Sequence, residues 1–447
     1  MRNIMQPLPG PLGTSRTWRQ RLRLPLWRLW FYLRPLFSNR WLDLLLSLML
    51  LIVLSPLLLF LFISAYWRTG KLFEFQLCMG RFQHPFKRLY FAGHLPGKNL
   101  ARLFNILRGD MALVGPRPLS IEEAASLTFE EQFRFSVRPG LFSVYGLRTK
   151  TGIAYEQEST LDKEQIYSET LQGNLGLMLR HGLSFFLRSH TPLPMPPILN
   201  FFGIHIINTD MEEAIAWFGK DPEQQRLLAF VNPDCLNISH QDEAYRQILQ
   251  QADRVLPDGI GIHIGCRMLG VSLRANVNGT DLFPRLCQAS IPRQQSLFLL
   301  GGKPGVAEKV AQNMRKQLPD LRIAGYQDGY FKAEASGQII QQINDSGADI
   351  LLVAFGVPKQ EKWLHQHRHQ LQAKVLMGVG GLFDFYAGCI PRAPQWLREI
   401  GMEWSWRLLQ EPGRMWRRYL IGNPLFLYRV WHQKWEQQHE PPTDSQS

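Results

Sequence analysis

The sequence is poor in cysteine and lacks several widespread catalytic patterns. Its five cysteines are odd in number, and no two of them have the C-x-x-C spacing. A disulfide-stapled scaffold and a zinc ribbon are therefore excluded, and a reducing compartment is favoured. No G-x-S-x-G or other Ser/Cys–His signature occurs, and no D-x-D pair of carboxylates is present to hold a divalent metal.

Acidic residues are outnumbered in this 447-residue chain, which has 50 Lys and Arg against 37 Asp and Glu and a net charge of +13. This surplus predicts a polyanionic partner or an anionic membrane surface. The surplus is uneven, since residues 1–40 contain eight arginines and no acid. With 45% hydrophobic and 19% charged residues, wholesale disorder is excluded, and the length predicts two or three globular units.

A long apolar segment follows the basic residues 1–40, which we interpret as cytoplasmic by the positive-inside rule. Residues 41–67 read WLDLLLSLMLLIVLSPLLLFLFISAYW and contain one charge, Asp43. This length is sufficient for a bilayer core of about 30 Å. Ser55–Pro56 interrupts the segment, because proline removes a helical hydrogen bond. Membrane attachment is therefore predicted, and the pattern agrees with both a kinked span and a re-entrant hairpin.

Proline also marks the boundary between two predicted soluble regions. Residues 189–198 contain four prolines, which cannot form a helix interior or a central strand, so a semi-rigid linker is predicted there. The linker separates region 68–188 from region 199–435. Residues 436–447 are predicted to be a disordered tail.

Region 68–188 contains a helical pattern followed by a rigid loop. Leu100, Leu103 and Leu107 share one face of a predicted helix, which ends at Gly109. The following loop holds Arg117 between two prolines, and a guanidinium fixed in this way suits bidentate recognition of a phosphate.

Together with the membrane segment, this region resembles the bacterial sugar transferases, the monotopic polyprenyl-phosphate phosphoglycosyl transferases. The resemblance covers residues 38–188 and rests on the strings Asn39–Asp43, Ser55–Pro56, Gly109–Met111, Val114–Pro118 and Val137–Gly140. It implies a small α-rich domain with a re-entrant hairpin broken at Ser55–Pro56. It also implies that Arg117 and Arg138 bind a lipid phosphate.

One departure from that family concerns catalysis. The family's Asp–Glu pair, whose Asp is the nucleophile, falls on Lys98 and Asn99 in this chain. Neither side chain replaces a carboxylate nucleophile and its metal-binding neighbour. We therefore predict that the domain at 68–188 is inactive and serves as a membrane anchor.

Region 199–435 alternates short apolar runs with amphipathic helical patterns. Buried parallel strands are predicted at residues 227–231, 296–300, 349–355 and 375–379. The alternation predicts a Rossmann-like, doubly wound α/β domain with ligands at the carboxyl ends of its strands. Glycine-rich and polar loops follow the four runs, and their convergence at one edge predicts a nucleotide site. These loops are Asn232–Asp234, Gly301–Gly305, Gly356–Glu361 and Gly380–Asp384.

Three acids are candidates for the catalytic role. Asp258 lies on a loop beside glycines, Asp384 follows an apolar strand, and Asp328 fits a plain Asp–Gly turn. The histidines at 365, 367 and 369 do not all share one helix face, so we interpret them as a solvated helix end and not as a metal site.

The same region resembles the WecG/TagA/CpsF glycosyltransferases over residues 200–430. The matching strings are Asn232–Pro233, Pro257–Gly259, Gly279–Asp281, Leu300–Gly302, Asp328–Phe331, Gly356–Glu361, Gly380–Asp384, Arg392–Pro394 and Glu403–Arg407. The resemblance implies transfer of a sugar, commonly N-acetylmannosamine or its uronic acid, from UDP to a lipid-diphosphate-linked sugar. It also implies inversion at the anomeric centre and no metal or other cofactor. Phe230 and Asn276 depart from the family pattern and leave the identity of the sugar open.

By this resemblance Asp258 is the general base that deprotonates the acceptor hydroxyl, and Asn232, Gln360 and Asp384 hold the sugar nucleotide. The arginines 414, 417 and 418 are expected to close over the diphosphate in place of a metal. The full set of predicted substrate-binding residues is Asn232, Gly259, Gly279, Asp281, Gly301, Gly302, Tyr330, Gly356, Lys359, Gln360, Glu361, Asp384, Arg392, Arg414, Arg417 and Arg418.

Residues 398–434 contain seven basic residues against three acids, interleaved with aromatic side chains. Stretches of this composition are typical of anionic lipid interfaces. No aromatic RNA-binding motif accompanies them, so nucleic acid is not predicted as a partner.

These features predict a membrane-associated inverting glycosyltransferase of bacterial exopolysaccharide, O-antigen or other cell-surface polysaccharide synthesis. Its predicted partners are a UDP-sugar, a polyprenyl-diphosphate-linked acceptor and the lipids of the inner (cytoplasmic) membrane, with the catalytic domains on the cytoplasmic side. Formation of a homo-oligomer is left open. Two alternatives are a bifunctional enzyme whose front half also transfers sugar 1-phosphate, and a non-catalytic scaffold for other enzymes of the pathway.

Overall fold

The computed structural model describes residues 39–93, 95, 97–184, 193–219 and 224–439. Contacts divide the chain into two compact units. The first contains the residues up to 141 together with 169–172, and the second contains 142–168 and the residues from 173 onward. Most of the predicted basic segment, part of the predicted linker and most of the predicted tail lie outside the described residues, at 1–38, 185–192 and 440–447.

The first unit begins with a bent pair of apolar helices. Helix α1 (Asn39–Val53) and helix α2 (Ser55–Thr69) meet at an angle of 72°. Pro56 lies in the first turn of α2, where a missing N–H costs that helix no hydrogen bond. Among the described residues no single helix is long and apolar enough to cross a membrane, whereas these two helices meet that requirement together.

Small sheets and short helices form the rest of the first unit. Strands β1 (Phe73–Met79), β2 (Pro85–Phe91) and β4 (Leu119–Ser120) form an antiparallel sheet, and β3 (Ala112–Val114) pairs with β5 (Gly140–Phe142). The helices are α3 (Arg102–Arg108) and α4 (Ile121–Ala125), with 3-10 turns at Arg81–Gln83, Lys98–Ala101 and Phe129–Ser136. Helix α2 buries Leu58, Leu61 and Ala65 in one apolar cluster with Phe91.

The second unit is built on a parallel sheet. An antiparallel hairpin of β6 (Ile198–Phe201) and β7 (Ile204–Ile207) precedes it. The sheet strands are β8 (Arg226–Val231), β9 (Arg254–Pro257), β10 (Ser296–Gly301), β11 (Arg322–Gln327), β12 (Ile350–Ala354) and β13 (Val375–Gly378). Their order across the sheet is β11–β10–β12–β13–β8–β9, and every neighbouring pair is parallel.

Helices cover the sheet and connect its strands. Before the sheet come α5 (Val144–Thr151), α6 (Glu158–Tyr167), α7 (Leu171–Leu183) and α8 (Met211–Phe218). Between its strands lie α9 (Pro233–Gln241), α10 (Glu243–Gln251), α11 (Ile260–Met268), α12 (Gly279–Ser290), α13 (Val306–Gln317), α14 (Ser336–Asp345) and α15 (Lys359–His367). After it come α16 (Leu382–Tyr386), α17 (Gln395–Glu399), α18 (Glu403–Gln410), α19 (Pro412–Trp416), a π-helical turn at Arg417–Gly422, and α20 (Asn423–His439).

The predicted parallel α/β sheet is confirmed. The four predicted strands are β8, β10, β12 and β13, and every residue of β10, β12 and β13 is buried, as expected for strands covered on both faces. The two further strands, β9 and β11, lie at the sheet's edges. Because all six strands are parallel, the glycine-rich loops after β8, β10, β12 and β13 lie at one edge of the sheet.

Two boundaries differ from those predicted. The compact units divide the region 68–188 at residue 141, because the residues after it pack with the large sheet, as when the Tyr155 hydroxyl donates to the Asn276 carbonyl at 2.5 Å. At the other end, α20 continues through His439 into the predicted tail, where the rings of His439 and Trp435 stack with centroids 4.7 Å apart.

Candidate active site

Three adjoining cavities follow the carboxyl edge of the large sheet. The first cavity lies over the ends of β8 and β9 and is lined by Asp258, Trp404 and Tyr419 among others. The second shares Asp258 with it and extends to the loops after β12 and β13. The third shares Gly356 and Arg414 with the second and ends over β10. Asp258 therefore lies where the first and second cavities meet.

Asp258 shares two cavities with Asn232, a residue that follows the neighbouring strand. Asn232 follows β8 and caps helix α9, where its side-chain oxygen accepts hydrogen bonds from the N–H groups of Asp234 and Cys235, both at 3.1 Å. The cap fixes the orientation of the Asn232 amide, and this side chain lowers the pKa of Asp258.

The electrostatic surroundings of Asp258 are mixed. Burial raises the pKa of its carboxyl group, and the positive charges of Arg418 and Arg407 and the side chain of Asn232 partly oppose that rise. The net shift is upward. A carboxylate with a raised pKa is a stronger base than one in water.

The second cavity is organised by a buried glutamine. The side-chain oxygen of Gln360 accepts hydrogen bonds from the backbone N–H groups of Gly356, at 3.2 Å, and Gly380, at 2.9 Å. Its amide nitrogen donates to the Glu361 carboxyl group at 2.7 Å. Gln360 is only 2% exposed, so it joins the loops after β12 and β13 from below and sets the shape of the cavity floor.

The third cavity combines a carboxylate with several cations. Asp384, Lys303, Lys359 and Arg414 line it, together with the exposed ring of Tyr330. Burial raises the pKa of Asp384, and the charge of Arg414 opposes that rise. Gly302, with φ of +73°, also lines the cavity, and a side chain there would meet Val306 at 2.9 Å. The chain therefore approaches this cavity as bare backbone, which suits an anionic group.

The structure brings most of the predicted substrate-binding residues to these cavities. Asn232, Gly259, Gly279, Gly356, Gln360 and Arg418 line the first or second cavity, and Arg414 and Arg417 line the second. Gly302, Tyr330, Lys359 and Asp384 line the third.

The other predicted substrate-binding residues face protein groups and do not line the three cavities, as far as the described residues show. Arg392 forms an ion pair with the buried carboxylate of Asp281 at 2.7 Å and a longer one with Glu403 at 3.5 Å. Glu361 is 1% exposed, beneath Gln360, and burial raises its pKa to about 7. Gly301 has φ of +126°, and a side chain there would meet the Ala354 carbonyl at 2.5 Å, so it permits close packing of β10 on β12.

Arg407, Glu403, Asn276 and Asn278 line the first cavity but are absent from the predicted set of site residues. Arg407 also lines the second cavity, and its charge lowers the pKa of Asp258. Burial raises the pKa of Glu403. Arg407 and Glu403 belong to the Glu403–Arg407 string, so the motif itself contained the signal that would have identified them.

The predicted lipid-phosphate residues lie in the first unit, where both contact protein groups. Arg117 pairs with Glu123, Nη1 to Oε1, at 2.9 Å. Arg138 donates from Nε to the Gly109 carbonyl at 2.9 Å, and burial lowers its pKa. At the positions of the missing carboxylate pair, the side-chain oxygen of Asn99 accepts from Arg102 at 2.7 Å, and the Lys98 ammonium lies 5.9 Å from the Tyr90 ring centroid.

Comparisons with families of known proteins divide the chain in two. The model described as Glycosyl transferase WecG/TagA/CpsF family matches residues 199–440, and the one described as Bacterial sugar transferase matches residues 98–187. Both predicted resemblances are confirmed. The first match contains all the residues that line the three cavities except Thr151 and Ile153, which fall in the second match.

Three similar proteins carry the name N-acetylglucosaminyldiphosphoundecaprenol N-acetyl-beta-D-mannosaminyltransferase. The chain is 32% identical to the one from Bacillus subtilis (strain 168) over 221 residues, which is 49% of this chain and 85% of that protein. It is 33% identical to the one from Bacillus spizizenii (strain ATCC 23059 / NRRL B-14472 / W23) over 200 residues, 45% and 77% of the two chains. It is 28% identical to the one from Staphylococcus aureus (strain MRSA252) over 236 residues, 52% and 91% of the two chains.

Proposed function

The chain belongs to the glycosyl transferase WecG/TagA/CpsF family, and from this premise we propose that it transfers an N-acetylmannosamine-type sugar from a UDP-sugar to a polyprenyl-diphosphate-linked acceptor. As a member of that family it is a glycosyltransferase. The relatives act, by their name, on N-acetylglucosaminyldiphosphoundecaprenol, and we propose an acceptor of this kind here. The observation that carries the proposal is the position of Asp258, which lies with Asn232 where two cavities meet.

In this proposal Asp258 is the general base. The acceptor hydroxyl attacks the anomeric carbon while the bond from that carbon to UDP breaks, and its proton passes to the Asp258 carboxylate. Inversion follows because the hydroxyl approaches opposite the leaving diphosphate. The raised pKa of Asp258 strengthens it as a base, and the Asn232 side chain partly opposes that rise.

The diphosphate of the donor is proposed to lie in the second cavity. Arg407, Arg414, Arg417 and Arg418 line that cavity, as do the backbone loops at Gly356 and Gly380. Guanidinium groups bind phosphate oxygens bidentately and stabilise negative charge as it develops on the departing UDP. This arginine set provides the positive charge that a divalent metal provides in other transferases.

Membrane association of the chain is also part of the proposal. The bent pair α1–α2 exposes many large apolar side chains, a surface that water does not favour. They are Leu45, Leu48, Met49, Ile52, Val53, Leu57, Leu59, Phe60 and Ile63. We propose that this pair enters the inner membrane as a re-entrant hairpin, with the transferase site on the cytoplasmic side and the product destined for a cell-surface polysaccharide.

Replacement of the base tests the proposal. In Asp258→Asn the full-length protein should bind UDP normally but transfer N-acetylmannosamine about 10²–10⁴-fold more slowly. The matched control is Asp345→Asn, because Asp345 is an exposed residue of α14 and lines none of the three cavities. Near-normal transfer by Asp258→Asn would remove Asp258 from the mechanism.

A further inference from the structure

A segment outside the glycosyltransferase match contributes to the first cavity. Residues 142–168 and 173–184, named here the flanking segment, belong to the second compact unit. They lie within the stretch matched by the bacterial sugar transferase model. Thr151 and Ile153 of this segment line the first cavity opposite residues of the family match.

The flanking segment is bonded to the loop before α12, which is in turn bonded to the residue after Asp258. The Tyr155 hydroxyl donates to the Asn276 carbonyl at 2.5 Å and accepts from the Asn278 amide at 3.1 Å. The Asn276 side-chain oxygen in turn accepts from the N–H of Gly259, the residue after Asp258, at 2.8 Å. Tyr155 therefore lies two hydrogen-bonded contacts from the backbone of the proposed base.

A buried ion network joins the same segment to the opposite wall of the cavity. The Glu399 carboxylate, 2% exposed, accepts from Arg148 Nε at 3.0 Å and also pairs with Arg180. Arg148 completes its bonding with two hydrogen bonds to Glu164, at 2.6 and 2.9 Å. Glu399 ends helix α17, and the next helix, α18, carries Trp404 and Arg407 of the cavity. Because Arg148 and Glu399 are buried and paired with each other, separating the segment from α17 would leave a buried carboxylate and a buried guanidinium group without that partner.

We propose that the flanking segment forms the acceptor side of the transferase site, with Ile153 contacting the acceptor sugar and Tyr155 acting as a positioning residue for Asp258. This inference rests on the proposed function. An inverting displacement brings the acceptor in on the side away from the diphosphate. The phosphate-binding loops and Arg414 and Arg417 line the second cavity, so the acceptor occupies the first, which also meets Asp258. The aromatic rings of Trp404 and Tyr419 in that cavity provide apolar faces for a sugar.

The first test fills the cavity in the full-length protein. Ile153→Trp should raise the KM for a short-chain N-acetylglucosaminyl diphosphate lipid at least about tenfold, because the larger side chain occupies acceptor space. The Kd for UDP should stay within about twofold of its value in the unaltered protein, since the donor lies beyond Asp258. Ile153→Val, which adds no volume, should keep the acceptor KM of the unaltered protein. Thr160→Trp, at an exposed position of the same segment, is the matched control. Unchanged acceptor KM in Ile153→Trp, with UDP binding intact, overturns the assignment of the acceptor side.

The second test removes one hydroxyl group. Tyr155→Phe should lower kcat about five- to tenfold, with the Kd for UDP unchanged, because Asn276 loses its donor and the loop of Asp258 loses its support. Tyr167→Phe, at a residue of the segment that is 82% exposed, should have normal kcat. A normal kcat in Tyr155→Phe overturns the positioning role. If Ile153→Trp loses UDP binding, the kcat of Tyr155→Phe decides whether the flanking segment contributes to the site. Absence of any transfer by the unaltered protein would instead refute the proposed function itself.

Discussion

Asn232, after strand β8, lines the same two cavities as Asp258, after the adjacent strand β9, and its side chain lowers the pKa of the Asp258 carboxyl group. The two residues are 26 positions apart in the sequence, and the parallel pairing of β8 and β9 brings them together. Because the oxygen of Asn232 is used as the cap of α9, the orientation of its amide is fixed before any substrate binds. The base and Asn232 are thus preorganised by the sheet and by the first turn of one helix.

Replacing Asn232 by alanine should shift the pH dependence of transfer. The Asn232 side chain lowers the pKa of Asp258, so its removal raises that pKa further. A base must be deprotonated to act, and the acidic limb of kcat/KM should therefore move to higher pH. The measurement is the pH profile of kcat/KM for Asn232→Ala. Asn344→Ala is the control, because that amide also bonds backbone groups, at Gln370 and Gln372, but outside the three cavities. An unshifted acidic limb would contradict the role given to Asn232.

Arg414→Ala should weaken the binding of UDP about 10- to 100-fold, since a charge-assisted hydrogen bond contributes about 1.5–3 kcal/mol. Arg414 lines both the second and the third cavity, and its side chain is 60% exposed, so the loss should diminish at high salt. Titration calorimetry with UDP in the presence of EDTA measures this effect without a metal. Arg322→Ala, an exposed arginine of β11, is the control. Strict dependence of binding or transfer on a divalent ion would contradict the role proposed for the arginine set.

Glu361→Gln should stabilise the protein above pH 7. Burial raises the pKa of Glu361 from 4.5 to about 7, so the folded state binds a proton more tightly than the unfolded state. Glu361 therefore leaves the free energy of unfolding unaffected below about pH 4.5. As pH rises from there toward 7, ionisation of Glu361 lowers the free energy of unfolding by about 3 kcal/mol in all. Glutamine keeps the acceptor for Gln360 and carries no charge. The measurement is the free energy of unfolding by denaturant at pH 5 and pH 8. The difference between Glu361→Gln and the unaltered protein should favour the variant more at pH 8 than at pH 5. The same difference at both pH values would contradict a buried carboxyl group that ionises.

The front half should release no UMP. The positions of the nucleophile and its partner are occupied by Lys98 and Asn99, and Asn99 is engaged with Arg102. The full-length protein given polyprenyl phosphate and UDP-sugars should therefore release no UMP above the level of a protein-free control. With a lipid-diphosphate-linked acceptor it should release UDP, and Asp258→Asn should lose that release. UMP formation that persists in Asp258→Asn would show that the front half is itself a phosphoglycosyl transferase.

How far the sequence predicts this structure depends on the kind of element. The strands β8, β10, β12 and β13 were predicted because a strand covered on both faces is a continuous apolar run. The edge strands are not marked by such a run, since β11 is only partly buried and the apolar run of β9 is limited to Val255–Pro257.

The sequence predicts those residues of the site that a local sequence pattern identifies. A loop after a buried strand identifies Asn232 and Gln360, but no local pattern shows that Asp281 pairs with Arg392, 111 residues away. The same limit explains Tyr155, whose contacts with Asn276 and Asn278 link stretches that match two different families.

The division of the chain at residue 141 does not coincide with the boundary between the two family matches. The residues after 141 include Arg148, Tyr155 and Arg180, which lie in the bacterial sugar transferase match but are bonded to residues of the glycosyltransferase match. A gene cut at the proline-rich stretch would consequently separate the transferase from one wall of its own site, whereas a cut at residue 141 would not.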